Sequence, residues 1–291
     1  MAWVQAHPAT IALFVSGLLA LSVAAWLWAP AAWRGLQRQR IRRQPFAAHW
    51  RETLRRRMPA FTLLPADIQW RLKKHAQVLM AETPFIGCAG LQVTDEMRVL
   101  VSVQAALLLL RPGASHFDNL RQVLIYPSAF AVQRSSADAA GLVRDERHAL
   151  VGESWQQGQV ILSWEEVLHG AAHPGDGRNV VLHEFAHQLD QANGAANGAP
   201  WLPGAAQRAR WAQVMAAEFQ ALQRRLAVDE PRLIEAYAAT NPAEFFALLS
   251  ELYFEKPLEL AQQHPSVYAQ FRALYGVNPL DWQGTTASLQ R

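Results

Sequence analysis

The stretch Arg178–Asp190 (Arg-Asn-Val-Val-Leu-His-Glu-Phe-Ala-His-Gln-Leu-Asp) constrains the fold more than any other part of the chain. Val181, Leu182, Phe185, Ala186 and Leu189 recur at helical spacing, which predicts a helix with one broad buried face. Asn179, after the turn-forming Pro174-Gly175-Asp176-Gly177, is placed to cap it. On such a helix His183 and His187 lie one above the other on the same face. Two imidazoles so placed can share one zinc ion. Glu184 is rotated by about 100° from His183, out of the ligand set and well placed to touch a water on the metal. The motif therefore offers two ligands and a general base on one turn. Three fixed positions alone are also met by an amphipathic helix whose histidines are merely exposed or hydrogen-bonded. A third ligand decides between the two.

A catalytic zinc takes three protein donors and leaves its fourth position to water. The best source of the third is Tyr237–Ala247. Asn241-Pro242 signals a helix start and puts Glu244 in the first turn, beside Phe245 and Phe246. A carboxylate in that apolar company is costly to bury unless paired or bound to a cation. Glu251, seven residues on and on the same face, and Asp190, a turn beyond His187, are alternatives. Asp190 better suits the task of orienting a ligand histidine. His169 and His173 form another i, i+4 pair, but no Glu follows His169 and Gly170 and Pro174-Gly175 disfavour a helix. They read as loop histidines.

Charge divides the chain unevenly. Residues 1–33 hold no Asp, Glu, Lys or Arg, whereas residues 34–57 hold nine arginines against Glu52. Residues 58–291 keep 18 basic and 23 acidic side chains, a net of −5. The basic character therefore belongs to a short collar, and the body has no charge pattern for direct nucleic-acid binding. The single Cys88 forms no internal disulfide and fits a reducing compartment.

After a short tail of residues 1–10, residues 11–33 are an uncharged apolar run long enough for one transmembrane helix. Trp26, Trp28 and Trp33 sit at its C-terminal end like an interfacial belt. The arginines of the basic juxtamembrane segment 34–57 follow, available to anionic headgroups. By the positive-inside rule the expectation is a single-pass inner-membrane protein whose body, residues 58–291, faces the cytoplasm. A cleaved signal ending near Ala29-Pro30-Ala31-Ala32 is the rival, but a signal carries its positive charge before the apolar region. A soluble cytoplasmic-like domain, should the anchor be absent or cleaved, and a body outside the membrane also stay open.

Within the body, residues 65–82 read as an amphipathic helix with Ile68, Leu72, Ala76 and Leu79 inward. Val99–Leu110 lies between Arg98 and Arg111, too short to cross a bilayer, and reads as a buried helix. Gln122–Tyr126 and Gln159–Ser163 are strand-like. The second either lines the cleft, where it can pair with an extended peptide, or is an ordinary internal strand. A long helix is expected from about residue 205 to 227. The fold class is α+β, predominantly helical with a small sheet.

His183–Asp190 together with Asn241–Ala247 resembles the Mlc titration factor A family of zinc metallopeptidases, and more distantly the lethal factor catalytic domain. The likeness extends from about Pro45 to near the C-terminus and takes in Tyr126-Pro127, Gly152-Glu153-Ser154-Trp155 and Leu162-Ser163-Trp164. It implies a zincin-like domain with one Zn2+ per chain, held by His183, His187 and Glu244, with Glu184 as general base. It also implies that Tyr237, seven residues before Glu244, stabilises the oxyanion. The substrate would be a peptide or protein, and whether aminopeptidase or endopeptidase action applies is left open. Capture of a transcriptional repressor is the alternative function that the resemblance brings. Well-known family members are soluble and cytosolic, so the apolar run and collar are departures here.

Overall fold

The structure, a computed structural model, describes residues 8–113, 116–128, 158–194, 196–228 and 233–282. The stretch Gly152-Glu153-Ser154-Trp155 lies outside these residues. The chain divides into two compact units, Met1–Pro45 and Phe46–Arg291.

The first unit is helix α1 (Pro8–Arg43), with Pro30 inside it. Leu18, Leu19, Leu21, Trp26, Trp28 and Trp33 are between 62% and 77% exposed, an apolar surface unusual for a helix facing water. Among the described residues no single helix is long and apolar enough to cross a membrane. Ser16–Val23 and Trp28–Arg43, bent by 40°, pass that test together by length and composition. Pro30 lacks the N–H that would bond the Trp26 carbonyl, which accounts for a bend about one turn before it.

The arginine segment does not form one collar. Arg34, Arg38, Arg40, Arg42 and Arg43 continue α1, whereas Arg51, Arg55, Arg56 and Arg57 lie on α2 (Ala48–Arg57) of the second unit. That helix is held by burial of Phe46, Leu54 and Met58. Arg56 and Arg57 both reach Glu96 at 2.7 Å. The second compact unit, which starts at Phe46, therefore includes α2.

The body is mostly helical with a small parallel sheet, an α+β arrangement. Helix α3 (Ala66–Glu82) buries Ile68, Leu72, Ala76 and Leu79, as its spacing predicts. The chain then forms a short strand, β1 (Phe85–Gly87). Helix α4 (Asp95–Ala106) runs into a 3-10 turn at Leu107–Leu109, and this apolar stretch is buried throughout, as expected. Strands β2 (Gln122–Tyr126) and β3 (Gln159–Ser163) complete a parallel sheet in the order β1-β2-β3. Val123 pairs with Phe85 on one side and Val160 on the other. Among the described residues β3 is an edge strand.

Ser163 closes β3 and caps the next helix, α5 (Trp164–Ala172), by accepting from the Glu166 N–H. His169 is therefore on a helix and not in a loop. Gly170 is tolerated there because the space is occupied by neighbours: a Cβ would lie 3.2 Å from the Asn179 side chain and 3.3 Å from Gln104 Oε1. His173 ends this helix, its ring stacked on His169 at 4.6 Å.

Helix α6 (Val180–Asp190) follows, with Asn179 as N-cap accepting from the Leu182 N–H at 3.1 Å. Val181, Leu182, Phe185 and Ala186 are fully buried. The long helix α7 (Ala205–Ala227) is as expected. Helix α8 (Pro242–Glu255) is buried from Ala243 through Tyr253, the pattern of a helix surrounded by the core. It packs along α6. Short helices α9 (Pro257–Gln263) and α10 (Pro265–Tyr275) cover its far side.

The connection after α6 locks the two central helices together. Asp190 accepts from the N–H groups of Gly198 (2.7 Å) and Ala199 (2.8 Å). The Gly198 carbonyl accepts from Trp211 Nε1 on α7. Gly198 has φ of +74°, and a Cβ there would lie 2.4 Å from the Pro242 carbonyl oxygen at the start of α8. Gly198→Ala is therefore expected to destabilise the protein by about 2–4 kcal/mol, read as a lower midpoint in urea unfolding of the full chain. A midpoint matching the native protein would show that this loop does not brace α6 against α8.

Candidate metal centre

Two capped helices bring the ionisable side chains together. Helix α6 carries His183, Glu184 and His187 on consecutive turns. Helix α8 begins with Asn241 accepting from the Glu244 N–H at 3.0 Å, and Pro242 occupies its first turn. The local signals of the sequence thus fix where the Glu244 side chain leaves the helix.

His183 Nε2 lies 3.3 Å from His187 Nε2 and 3.1 Å from Glu244 Oε2, and His187 Nε2 lies 3.7 Å from the same oxygen. Donors at about 2.1 Å from a tetrahedral zinc ion stand about 3.4 Å apart. The three atoms therefore converge at the spacing a single small cation requires. Among the described residues this is the group of three donors close enough to hold a metal ion. His187 and Glu244 are buried, and Glu184 is buried beside them. Two neutral nitrogen donors and one carboxylate suit a divalent transition metal.

Tyr237 stands on the 3-10 turn Ala236–Ala239 that leads towards α8. It is half-buried, with its ring centroid 6.4 Å from that of His183.

Glu251 and Asp190, the rival candidates for third ligand, take other places. Glu251 meets His183 from behind: its Oε1 lies 2.6 Å from Nδ1, within hydrogen-bond distance. Its other oxygen accepts from the Asn179 N–H at 2.7 Å. The expectation that Asp190 orients a ligand histidine is corrected, because both of its oxygens are engaged by the Gly198 and Ala199 N–H groups. A buried polar group takes the donors within its reach, and for Asp190 those are backbone amides.

A polar cluster at the start of α6 is not apparent from spacing. Asn179 Nδ2 donates to Gln104 Oε1 (3.0 Å) and to Glu255 Oε1 (3.2 Å). The second Glu255 oxygen accepts from the Gly175 N–H at 2.7 Å. The one hint in the sequence is that Glu244, Glu251 and Glu255 recur along a single otherwise apolar helix.

Electrostatics separates the two histidines. Burial alone pulls the His183 pKa down, but the Glu251 and Glu244 carboxylates outweigh it and hold the ring well above the usual histidine range. Burial pushes His187 down to about 4, against the pull of Glu244 and with added repulsion from His183. Burial would raise Glu244, yet the two histidines hold it well below the usual carboxylate range.

A histidine pair on one helix, completed by a carboxylate from a second helix and flanked by the glutamate that follows the first histidine, defines the metallo-peptidase class of site. Residues 33–276 match the glucose-regulated metallo-peptidase M90 family, and the chain belongs to that family. The match begins at residue 33, ahead of Pro45, and so takes in the stretch that carries the arginines of α1. An uncharacterised Synechocystis protein is 35% identical over 261 residues, covering 89% of this chain and 95% of its own length. Mlc titration factor A of Serratia proteamaculans is 34% identical over 236 residues, with 80% and 88% covered. The Yersinia pestis protein of the same name is 35% identical over 238 residues, with 80% and 86% covered. The resemblance carried by the two motifs is borne out.

The cluster behind α6 makes a pH-dependent contribution. Burial lifts Glu255 to about 7, opposed by its bonds to Gly175 and Asn179 and aided by the charges of Asp176 and Glu251. A carboxyl with a raised folded pKa contributes stability that is complete below its unfolded pKa and is lost as pH rises through the folded value. Glu255→Gln removes that loss, so the stability of variant relative to native should move in the variant's favour between about pH 5 and about pH 8. Denaturant unfolding at several pH values reads this, and a difference that stays flat across the window rules out a raised Glu255.

Proposed function

We propose that this chain is a zinc-dependent peptidase with a zincin-like catalytic domain. The observation that carries the reading is the convergence of His183 Nε2, His187 Nε2 and Glu244 Oε2 at 3.1 to 3.7 Å, buried beside Glu184. His183, His187 and Glu244 would hold the ion. Bound zinc supplies a Lewis acid that polarises the scissile carbonyl and brings the pKa of a water towards neutrality. Glu184, one residue from the first ligand and outside the ligand set, takes the proton of the attacking water and passes it to the leaving amine. Tyr237 donates its hydroxyl to the oxyanion that develops on the attacked carbonyl. β3, an edge strand among the described residues, packs against α6, where Gln188 Nε2 donates to the Gln159 carbonyl. An extended peptide chain is the substrate class such an edge can bind.

The catalytic test is the full chain loaded with zinc against Glu184→Gln. Loss of one general base costs about 10²–10⁴-fold in turnover, and zinc content should be unchanged. Turnover of peptides at the native rate by Glu184→Gln would falsify this mechanism. Because the neighbouring carboxylates hold the His183 pKa well above the usual histidine range, zinc uptake near neutral pH should release at least one proton. Calorimetry in buffers of different ionisation enthalpy measures that release, and no dependence on buffer rules it out.

A second reading rests on the names of the relatives. Proteins called Mlc titration factor A are 34% and 35% identical over most of this chain. On that reading the body binds a transcriptional repressor such as Mlc. Partner binding should then survive in Glu184→Gln, because it needs the surface and not the base.

For location, we propose that α1 anchors the chain in the inner membrane with the body on the cytoplasmic side. The support is the exposed Leu and Trp surface of α1 and the arginines that follow it. A C-terminal reporter that functions only in the cytoplasm should be active, and silence from an expressed fusion would reverse the orientation.

A further inference from the structure

We propose that Glu251 is the positioning residue of the metal centre, fixing His183 as the tautomer that carries its proton on Nδ1 and leaves Nε2 for the metal. This rests on the metal-site reading above.

The ring of His183 is held from both nitrogens by one helix. Glu244 Oε2 lies 3.1 Å from Nε2 and Glu251 Oε1 lies 2.6 Å from Nδ1. A separation of seven residues is close to two full turns, so both carboxylates leave α8 on the same face. An ionised carboxylate only accepts hydrogen bonds. Glu244 belongs to the three-donor group and Glu251 does not, so with the ligand set engaged the nitrogen facing Glu251 must carry the proton, and in the neutral ring Nε2 keeps its lone pair. A carboxylate behind a ligand histidine also raises the basicity of the coordinating nitrogen.

Glu251 is itself immobilised. It is 7% exposed, and Oε2 accepts from the backbone N–H of Asn179 at 2.7 Å. That amide sits at the start of α6, where helix N–H groups lack internal partners. One carboxylate thus ties the start of the metal helix to the orientation of its first ligand. This is a stricter demand than capping alone, because it needs two acceptors at once.

The demand makes glutamine a discriminating replacement. An amide has one acceptor and one donor end. If its oxygen faces the Asn179 N–H, its NH2 faces His183 Nδ1, and the ring proton moves to Nε2, where it blocks the metal. In the opposite orientation the Asn179 N–H loses its acceptor in a buried setting. Either orientation disrupts the pairing that the carboxylate satisfies.

The test uses the full chain and the metal alone. Zinc affinity is measured by competition with a chelating indicator for native protein and Glu251→Gln, at a temperature where circular dichroism shows both folded. Loss of a partner behind a ligand histidine weakens metal binding by about 10- to 100-fold, so a tenfold or larger loss is expected. A smaller loss overturns the proposal and leaves Glu251 as a helix cap only. Ring ¹⁵N spectra of zinc-loaded native protein supply a readout that capping does not move and that needs no variant to fold. The His183 proton should reside on Nδ1, and a proton on Nε2 with the metal on Nδ1 overturns the proposal. Native protein that takes up no zinc overturns the metal-site reading and this proposal with it. Native protein that binds zinc no more tightly than Glu251→Gln overturns this proposal alone.

Discussion

Everything in the body depends on keeping a carboxylate, two imidazoles and a further glutamate buried between two apolar helices. Unpaired, each of these groups would be expelled or neutralised, because transfer of a charge into a low-dielectric interior costs several kcal/mol. The centre avoids that outcome by mutual pairing. Glu244 and Glu251 flank His183 and raise its pKa, while burial lowers that of His187. The three converging donors fit a single divalent cation, whose uptake is coupled to release of ligand protons.

The surrounding architecture serves the alignment of α6 and α8. Asn179 and Asn241 start the two helices at defined residues, through the Leu182 and Glu244 N–H groups. Asp190 and Gly198 close the far end, and the Gln104–Asn179–Glu255 cluster closes the near one. A difference of one residue at either cap would rotate a ligand by about 100°. Polar residues in this core are therefore not ornaments on a hydrophobic interior; they set its register.

The site is legible in the sequence where chemistry and period coincide. His183, Glu184 and His187 follow from helical spacing, and Glu244 follows from an Asn-Pro helix start in apolar company. The residues that escape are those whose partners lie far along the chain. Asp190 has the spacing to face a ligand and instead holds a loop, because its nearest donors are backbone amides eight and nine residues away. Glu251 is a candidate ligand by spacing and stands behind one in the fold, a distinction that depends on which ring nitrogen it faces. His169 looks unsuited to a helix because a glycine follows it, yet that glycine is there for close packing against Asn179 and Gln104. The parallel order of the sheet has no local signature, since it arises from crossovers through separate segments.

The N-terminal unit poses the opposite problem to the core. The body has charge where an apolar surface would be cheaper, whereas α1 has apolar side chains where a water-facing helix should have charge. Its leucines and tryptophans are exposed, and the first charged side chain comes only at Arg34. A surface of that kind is stable only against another apolar phase. The bend before Pro30 changes how that surface is presented without adding a polar group to it. On the readings proposed above, a bilayer for α1 and a cation for α6 and α8 are two uses of the same physics: a group unstable in its own surroundings is retained because something outside the chain completes it.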